Sequence, residues 1–209
     1  VPDASVASIE LADKQNDKVE GDIMYYKLYM VWHMLDKADR FHNGCQIPDK
    51  LAGTLQKAIA RVWLQMFGPF KYLIVDGEKG ISAKETTEWL KGMGIEIRER
   101  AKGMHPRMLD RRTAMLRHTL HCMESQLEKE GVAWDFETLL AAGIFAGNAL
   151  TSVGGVTPYT CRFGTTPTFM HDLEVLSDAK GTDFQRIRQV AMQRMIEATA
   201  KAKITRALS

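Results

Sequence analysis

Apolar positions recur along the chain with two different periods, and the switch between them divides it. From Val19 to Ile47 the stretch "VEGDIMYYKLYMVWHMLDKADRFHNGCQI" consists of β-rich runs broken by charged residues and an Asn-Gly turn signal, which predicts three successive strands at 19–26, 28–36 and 41–47. From Lys50 the period lengthens: Leu51, Leu55, Ile59, Val62 and Met66 fall on one helical face, closed by Gly68-Pro69. The short continuous apolar run "YLIVD" predicts a strand at 71–76 covered on both faces. Ser82 with Glu85 forms a capping box ahead of Trp89, Leu90 and Met93, and "GIEIRER" returns to strand at 94–100. The alternation of strand and helix in this part of the chain is that of an α/β arrangement.

The helix that follows has the clearest stripe. Pro106 suits its first turn, and Leu109, Leu116, Leu120, Met123 and Leu127 share one face. Asp110 lies about 100° round from Leu109, at the edge of that stripe, with Arg111 and Arg112 beside it. Two more helices are predicted, Trp134 to Leu150 and Asp183 to Leu208, separated by "GGVTPYTCRFGTTP". The last is Ala-rich, carries Arg186, Arg188, Arg194, Lys201, Lys203 and Arg206, and reads as a helix leaving the core toward a further domain. Residues 1–18 are small and polar and read as a linker; Val1 in place of an initiating Met suggests a piece of a longer protein.

Composition narrows the class. With 209 residues, 45% hydrophobic and 26% charged, the chain can bury one sizeable core. No apolar run approaches the roughly 20 residues that cross a bilayer, and the N-terminus lacks the regions of a signal peptide, so a soluble intracellular protein without a membrane partner is expected. Cys45, Cys122 and Cys161 are odd in number and widely spaced, hence free thiols and not a CxxC metal site. The net charge is only +2, so contact with nucleic acid requires local clustering of Lys and Arg. Trp63, Trp89 and Trp134 read as core residues.

Three acids stand out by placement: Asp22 in the first strand, Asp76 at the end of the fourth, and Asp110 in the first turn of the long helix. Each alone has an ordinary explanation, as a strand-face polar residue, a turn residue before glycine, and an acid favoured by the helix dipole. Together they would bring three carboxylates to one rim. Oxygen donors of this kind suit Mg²⁺, and two such ions about 3.5 to 4 Å apart clamp the attacking and leaving oxygens of an in-line displacement at phosphorus.

In order and spacing these acids resemble the catalytic core of retroviral and retrotransposon integrases, the D,D-35-E class. Fifty-four positions lead from Asp22 to Asp76 and 34 from Asp76 to Asp110. "VEGDIMYY", "LDKADRF", "WLQMFGPFKYLIVDGEKG", "GMGIEI", "HPRMLDRRTAMLRHTL" and "GNALTSVGGVTPYTCRFGTTP" are similar, in that order, to the family's successive motifs from about Val19 to Pro167. The resemblance implies a ribonuclease-H-like fold: a five-stranded mixed sheet flanked by helices, with the core at 19–170 and a C-terminal helical extension at 171–209. It implies catalytic and metal-binding roles for Asp22, Asp76 and Asp110, a two-ion Mg²⁺ or Mn²⁺ cofactor, DNA ends and target DNA as partners, a homo-oligomer, and work in the nucleus.

Two departures bear on activity. The family's third acid is Glu, and "LDRR" has Asp110, one methylene shorter; where the family has D-x-G-x-E-F, "DGEKGI" puts Glu78 at the usual Gly and Gly80 at the usual Glu. Lys102, Arg107, Arg111, Arg112 and Arg117 cluster around the third acid as a candidate DNA-backbone patch, or as a solvated helix face. His105 would touch DNA or cap the helix, and the six histidines do not form the family's upstream HHCC zinc site. The expected function is processing and joining of DNA 3′ ends by metal-dependent phosphoryl transfer in a retrotransposon polyprotein. The alternatives are a decayed module that only binds DNA or partner subunits, and another ribonuclease-H-like nuclease, which would need a fourth carboxylate.

Overall fold

The computed structural model describes residues 14–76, 79–99, 107–152, 155–168 and 179–208. At its centre is a five-stranded sheet in the order β3-β2-β1-β4-β5, built from β1 (Lys18–Tyr26), β2 (Tyr29–Asp36), β3 (His42–Ile47), β4 (Tyr72–Val75) and β5 (Glu96–Glu99). The first three strands pair antiparallel, whereas β4 joins β1, and β5 joins β4, in parallel. This is the mixed sheet that the family resemblance implies, formed at the strand runs read from the sequence, with β4 and β5 trimmed to four residues each.

Pleating sends alternate residues of β1 to opposite faces and so builds two cores. On one face Val19, Ile23, Leu73 and Val75 pack with Trp32 against α1 (Ala52–Ile59) and the turns that continue it. On the other, Met24, Tyr26 and Val31 meet α5 (Arg107–Glu130) and α6 (Phe136–Leu150) through Leu116, Leu120 and Leu139. Each such fully buried side chain contributes about 1.5–3 kcal/mol. Trp63 is fully buried, while Trp89 and Trp134 lie half-buried against the two cores. Cys45, Cys122 and Cys161 are free.

Three local expectations are corrected. The stripe from Leu51 to Met66 is buried only in its middle, Leu51 being 68% and Met66 55% exposed. Leu51 is the N-cap of α1, with extended backbone, and so lies ahead of the helical face; for Met66 the cause is the π-helical turn Ala60–Leu64 between α1 and α2 (Gln65–Phe67). Its wider winding rotates the buried face onward, so Trp63 joins Val62 inside and Phe67 packs where Met66 was expected. Second, Ser82 closes α3 (Lys79–Ser82), so Ala83, in extended conformation, is the N-cap of α4 (Lys84–Gly92). The Ser82 hydroxyl donates instead to Glu99 Oε1 at 2.7 Å, and no capping box forms. Third, α8 (Ala179–Leu208) does not leave the core at once: Ile187, Val190, Ala191 and Met195 pack with α5 and α6, and only further on are Ile204 and Leu208 exposed.

Asn16, within the segment read as linker, is tied into the fold. Its backbone N–H donates to Asp36, its Nδ2 to the Phe67 carbonyl, and its Oδ1 accepts from Trp63 Nε1. No helix among the described residues is long and apolar enough to cross a membrane.

Candidate active site

The ladder between β1 and β4 ends at the pair Gly21 and Val75, and the next residue on each side is an aspartate, Asp22 and Asp76. Neighbouring strands lie about 4.8 Å apart, so continuing the register one step brings the two backbones within about 6 Å. Pleating turns both toward the face that α5 and α6 cover, because Met24 and Tyr26, two and four residues beyond Asp22, pack there. Asp22 is half-buried and its Oδ1 accepts the N–H of Ile23 at 2.7 Å; Asp76 is exposed. Past this point β1 runs on without β4, and at Tyr25 its carbonyl accepts from Arg117 Nε of α5 at 3.0 Å.

Asp110 lies in the first turn of α5, two turns before Arg117, and is exposed. Among the described residues no ion pair joins it to Arg111 or Arg112, and no three His, Cys, Asp or Glu side chains converge on a point that would hold a metal ion. Continued one step, the register would set Asp22 beside Asp76, while Asp110 lies on α5, which packs on the same face, and among the described residues no three-acid cluster forms. A pair of carboxylates at an open rim still fits Mg²⁺, which is commonly held by one or two carboxylates and keeps several waters to exchange for phosphate oxygens.

The five candidate DNA-contacting residues separate. Arg111 and Arg117 are exposed, although Arg117 also holds the Tyr25 carbonyl. Lys102 and His105 lie outside the described residues, as does the side chain of Arg107. Arg112 is corrected: it is 8% exposed, turned into the protein, and donates to Asn148 Oδ1 at 2.8 Å and Thr151 Oγ1 at 3.0 Å. Burial lowers its pKa to about 10.

Beside Asp22 lies a buried polar group that sequence reasoning missed. His33 is the cross-strand partner of Asp22, and its Nδ1 is 3.1 Å from Nε2 of His42 on β3. Burial, followed by the charge of Arg117, lowers the His33 pKa to about 3; burial, then His33 and Arg112, holds His42 well below the usual imidazole range. Both rings are therefore neutral at pH 7. Spacing gave no hint, because the two histidines meet diagonally across two strands.

A second missed group sits where the β1–β4 ladder begins. Arg162, on α7 (Pro158–Phe163), donates to Asp36 at 2.7 Å and reaches Asp39 at 2.6 Å, all three side chains being almost wholly buried. Burial first, and then the like charge of Asp36, raise Asp39 to about pKa 6 against the bond from the Phe41 N–H and the pull of Arg162. The acids are in "LDKADRF" and the arginine in "TCRFG", so the only signal was that both stretches matched family motifs.

Gly80 accounts for one departure. A Cβ there would run into the Lys50 carbonyl and the Leu55 side chain, so the glutamate usual at this position does not fit as the backbone stands.

No protein-family model matches the chain, and no curated protein matches it in sequence. Solved structures do. The catalytic core domain of BIV integrase superposes with a TM-score of 0.59 at 17% identity, over 70% of this chain and 93% of that one. The HTLV-2 integrase catalytic core domain, solved in complex with magnesium in a trimeric form, gives 0.58 at 12% identity over 69% and 95%. The integrase chain of a simian T-cell lymphotropic virus intasome bound to a PP2A regulatory subunit gives 0.60 at 13%, over 81% of this chain and 62% of that one. At these identities the likeness is one of fold: the chain has the ribonuclease-H-like architecture of retroviral integrase catalytic cores.

Proposed function

We propose that the chain is the catalytic core of an integrase-type polynucleotidyl transferase, acting on DNA ends and target DNA by metal-dependent phosphoryl transfer, within a retrotransposon polyprotein. What supports this reading is the parallel ladder, which ends at Gly21 and Val75 with Asp22 and Asp76 the next residue on each strand, and the long helix carrying Asp110 that packs on the same sheet. Asp22 and Asp76 would hold Mg²⁺ or Mn²⁺, with Asp110 as third ligand; bound there, two ions supply charge stabilisation to the attacking and leaving oxygens. Arg111, exposed beside Asp110, supplies a cation for the DNA backbone, and Arg117 does so with the guanidinium nitrogens not held by Tyr25. The HTLV-2 catalytic core in complex with magnesium is trimeric in one form and dimeric in another, and the simian viral structure is an intasome, which favours a magnesium-dependent homo-oligomer on DNA here too; work in the nucleus is carried over from the family resemblance alone.

A second reading has its own observation. The described carboxylates form no three-acid cluster and the third acid is the shorter Asp, as expected of a decayed module that binds DNA or partner subunits without cutting. A misplacement of about 1 Å in a catalytic constellation costs on the order of a hundredfold in rate. A joining assay with labelled duplex ends and Mn²⁺ separates the two. Activity that Asp22→Asn or Asp76→Asn abolishes, and that Asp110→Glu raises, supports the enzyme; DNA binding without joining in the wild-type and Asp110→Glu chains supports the module.

A further inference from the structure

The helix α8 is apolar on two opposite sides. Ile187, Ala191 and Met195, spaced four apart, are buried where it packs on α5 and α6. Nine positions on from each of them stand Ile196, Ala200 and Ile204, and nine steps of about 100° carry a residue to the far side of a helix. The core stripe is thus repeated on the face turned to solvent. Ile196 is 53% and Ile204 60% exposed, and Ala200 and Ala207 on the same side are exposed as well. A surface helix normally keeps that side polar, as Gln189 and Gln193 do on the turns just before. Ala200, Lys201, Lys203, Ile204, Thr205 and Ala207 lie on all sides of α8 and are all exposed, so the inner face too has lost its cover here. Most of a helix's stability comes from packing an apolar face, so this end is built to meet a partner.

Charge and spacing select the partner. From Ile196 to Leu208 the cations are Lys201, Lys203 and Arg206, and the one acid is Glu197. A parallel pair of such helices would set Lys203 against Lys203 and Glu197 against Glu197. Run antiparallel about Ala200, Ile196 comes level with the partner's Ile204 and Glu197 with the partner's Lys203, because the members of each pair are equally spaced about that alanine. Glu197 and Lys203 lie about 60° to either side of Ala200, where flanking charges reach across a helix pair. Glu197 accepts from Arg194 Nη1 at 2.7 Å and from Gln193 Nε2 at 3.2 Å, and a carboxylate has lone pairs for a further donor. Ala200, with only a methyl group, lets two backbones approach. A face that complements itself in this way fits a second copy across a two-fold axis.

We propose that α8 pairs antiparallel with α8 of a second copy of this chain, through Ile196, Ala200 and Ile204, with the crossing at Ala200. The proposal gives a surface to the homo-oligomer of the reading above and rests on that part of it alone; it needs no metal site.

Sedimentation equilibrium on the whole chain tests it, with urea unfolding to confirm that each variant is folded. The wild-type chain is expected to dimerise, and the double substitution Ile196→Gln, Ile204→Gln, at residues already exposed, to weaken the dimer at least tenfold. Glu197→Lys and Lys203→Glu should each weaken it at least threefold, and the two combined should return it to within twofold of wild type. A parallel pair would show neither the losses nor the rescue. A wild-type chain that stays monomeric at every concentration, as it would if this face served a different protein, overturns the proposal. So does a dimer indifferent to the two glutamine substitutions, or one that the single charge reversals leave unchanged. Mn²⁺ binding measured on the same samples keeps the two readings apart: loss of the dimer with Asp22-dependent Mn²⁺ binding intact fails the α8 pairing alone, and a dimer without Mn²⁺ binding fails the metal site alone.

Discussion

The β1–β4 ladder has acids at both ends, held in opposite ways. Where it begins, Asp36 and Asp39 are sealed from water and held by Arg162, whose guanidinium lies over the rings of Phe41, Trp63 and Phe67. Where it ends, Asp76 is exposed, as is Asp110 on the helix above, and the nearby buried arginine, Arg112, turns to Asn148 and Thr151. Acids given an internal cation are part of the fold. Acids left at an open rim, with the arginine beside them engaged elsewhere, are available to a cation from solution.

The sealed end should break hardest. Arg162→Met leaves two buried carboxylates without their cation and is expected to cost about 3–5 kcal/mol in urea unfolding, whereas removing the charge of Asp76 should cost under about 0.5 kcal/mol. Comparable losses at the two ends would contradict the comparison.

Acid sharpens it next. His33 and His42 have folded pKa values below their unfolded ones, so the stability they contribute is present above about pH 6.5 and is lost as pH falls. Asp39 has the opposite sign: its pKa is raised to about 6, so its contribution is present below about pH 4 and lost as pH rises through 6. Asp39→Asn should therefore make the loss of stability between pH 7 and 4 steeper, by about 2 kcal/mol, in unfolding curves taken across that range. A shallower pH dependence in the variant would show that Arg162, not burial, governs this acid.

At the open end Gly80→Ala is expected to cost about 1–3 kcal/mol, since the new methyl group meets the Lys50 backbone. Ser82→Ala, which removes a single exposed hydrogen bond to Glu99, should cost under about 1 kcal/mol. Thermal melts compare the two directly, and the reverse order would mean that the backbone of α3 around Gly80 adapts more easily than its contacts suggest.

How much of this was legible follows from the range of the interactions. The strands are, because alternation is local: Val19, Ile23 and Met24 display their faces in the sequence itself. The order of Asp22, Asp76 and Asp110 was visible, but not their mutual geometry, which depends on a register between strands 54 residues apart. Arg112 beside Arg111 looked like the same basic patch; a rotation of about 100° per residue puts one in water and the other inside. The failed capping box has a similar origin, since Ser82 belongs to a short helical turn that pattern alone could not separate from the helix after it. Asn148, His42 and Arg162 were invisible as a group because each finds its partner across more than 30 residues.

The central claim is that Asp22 and Asp76 hold a divalent cation, and thermal melting with and without Mn²⁺ tests it most directly. An ion that binds the folded chain and not the unfolded one stabilises by about 2.7 kcal/mol at a hundred times its Kd, or about 5–10 °C in a chain of this size. That upward shift is predicted for the wild-type chain and should vanish in the Asp22→Asn, Asp76→Asn double mutant. Equal shifts in the two proteins, or none in either, would contradict a metal site at this rim.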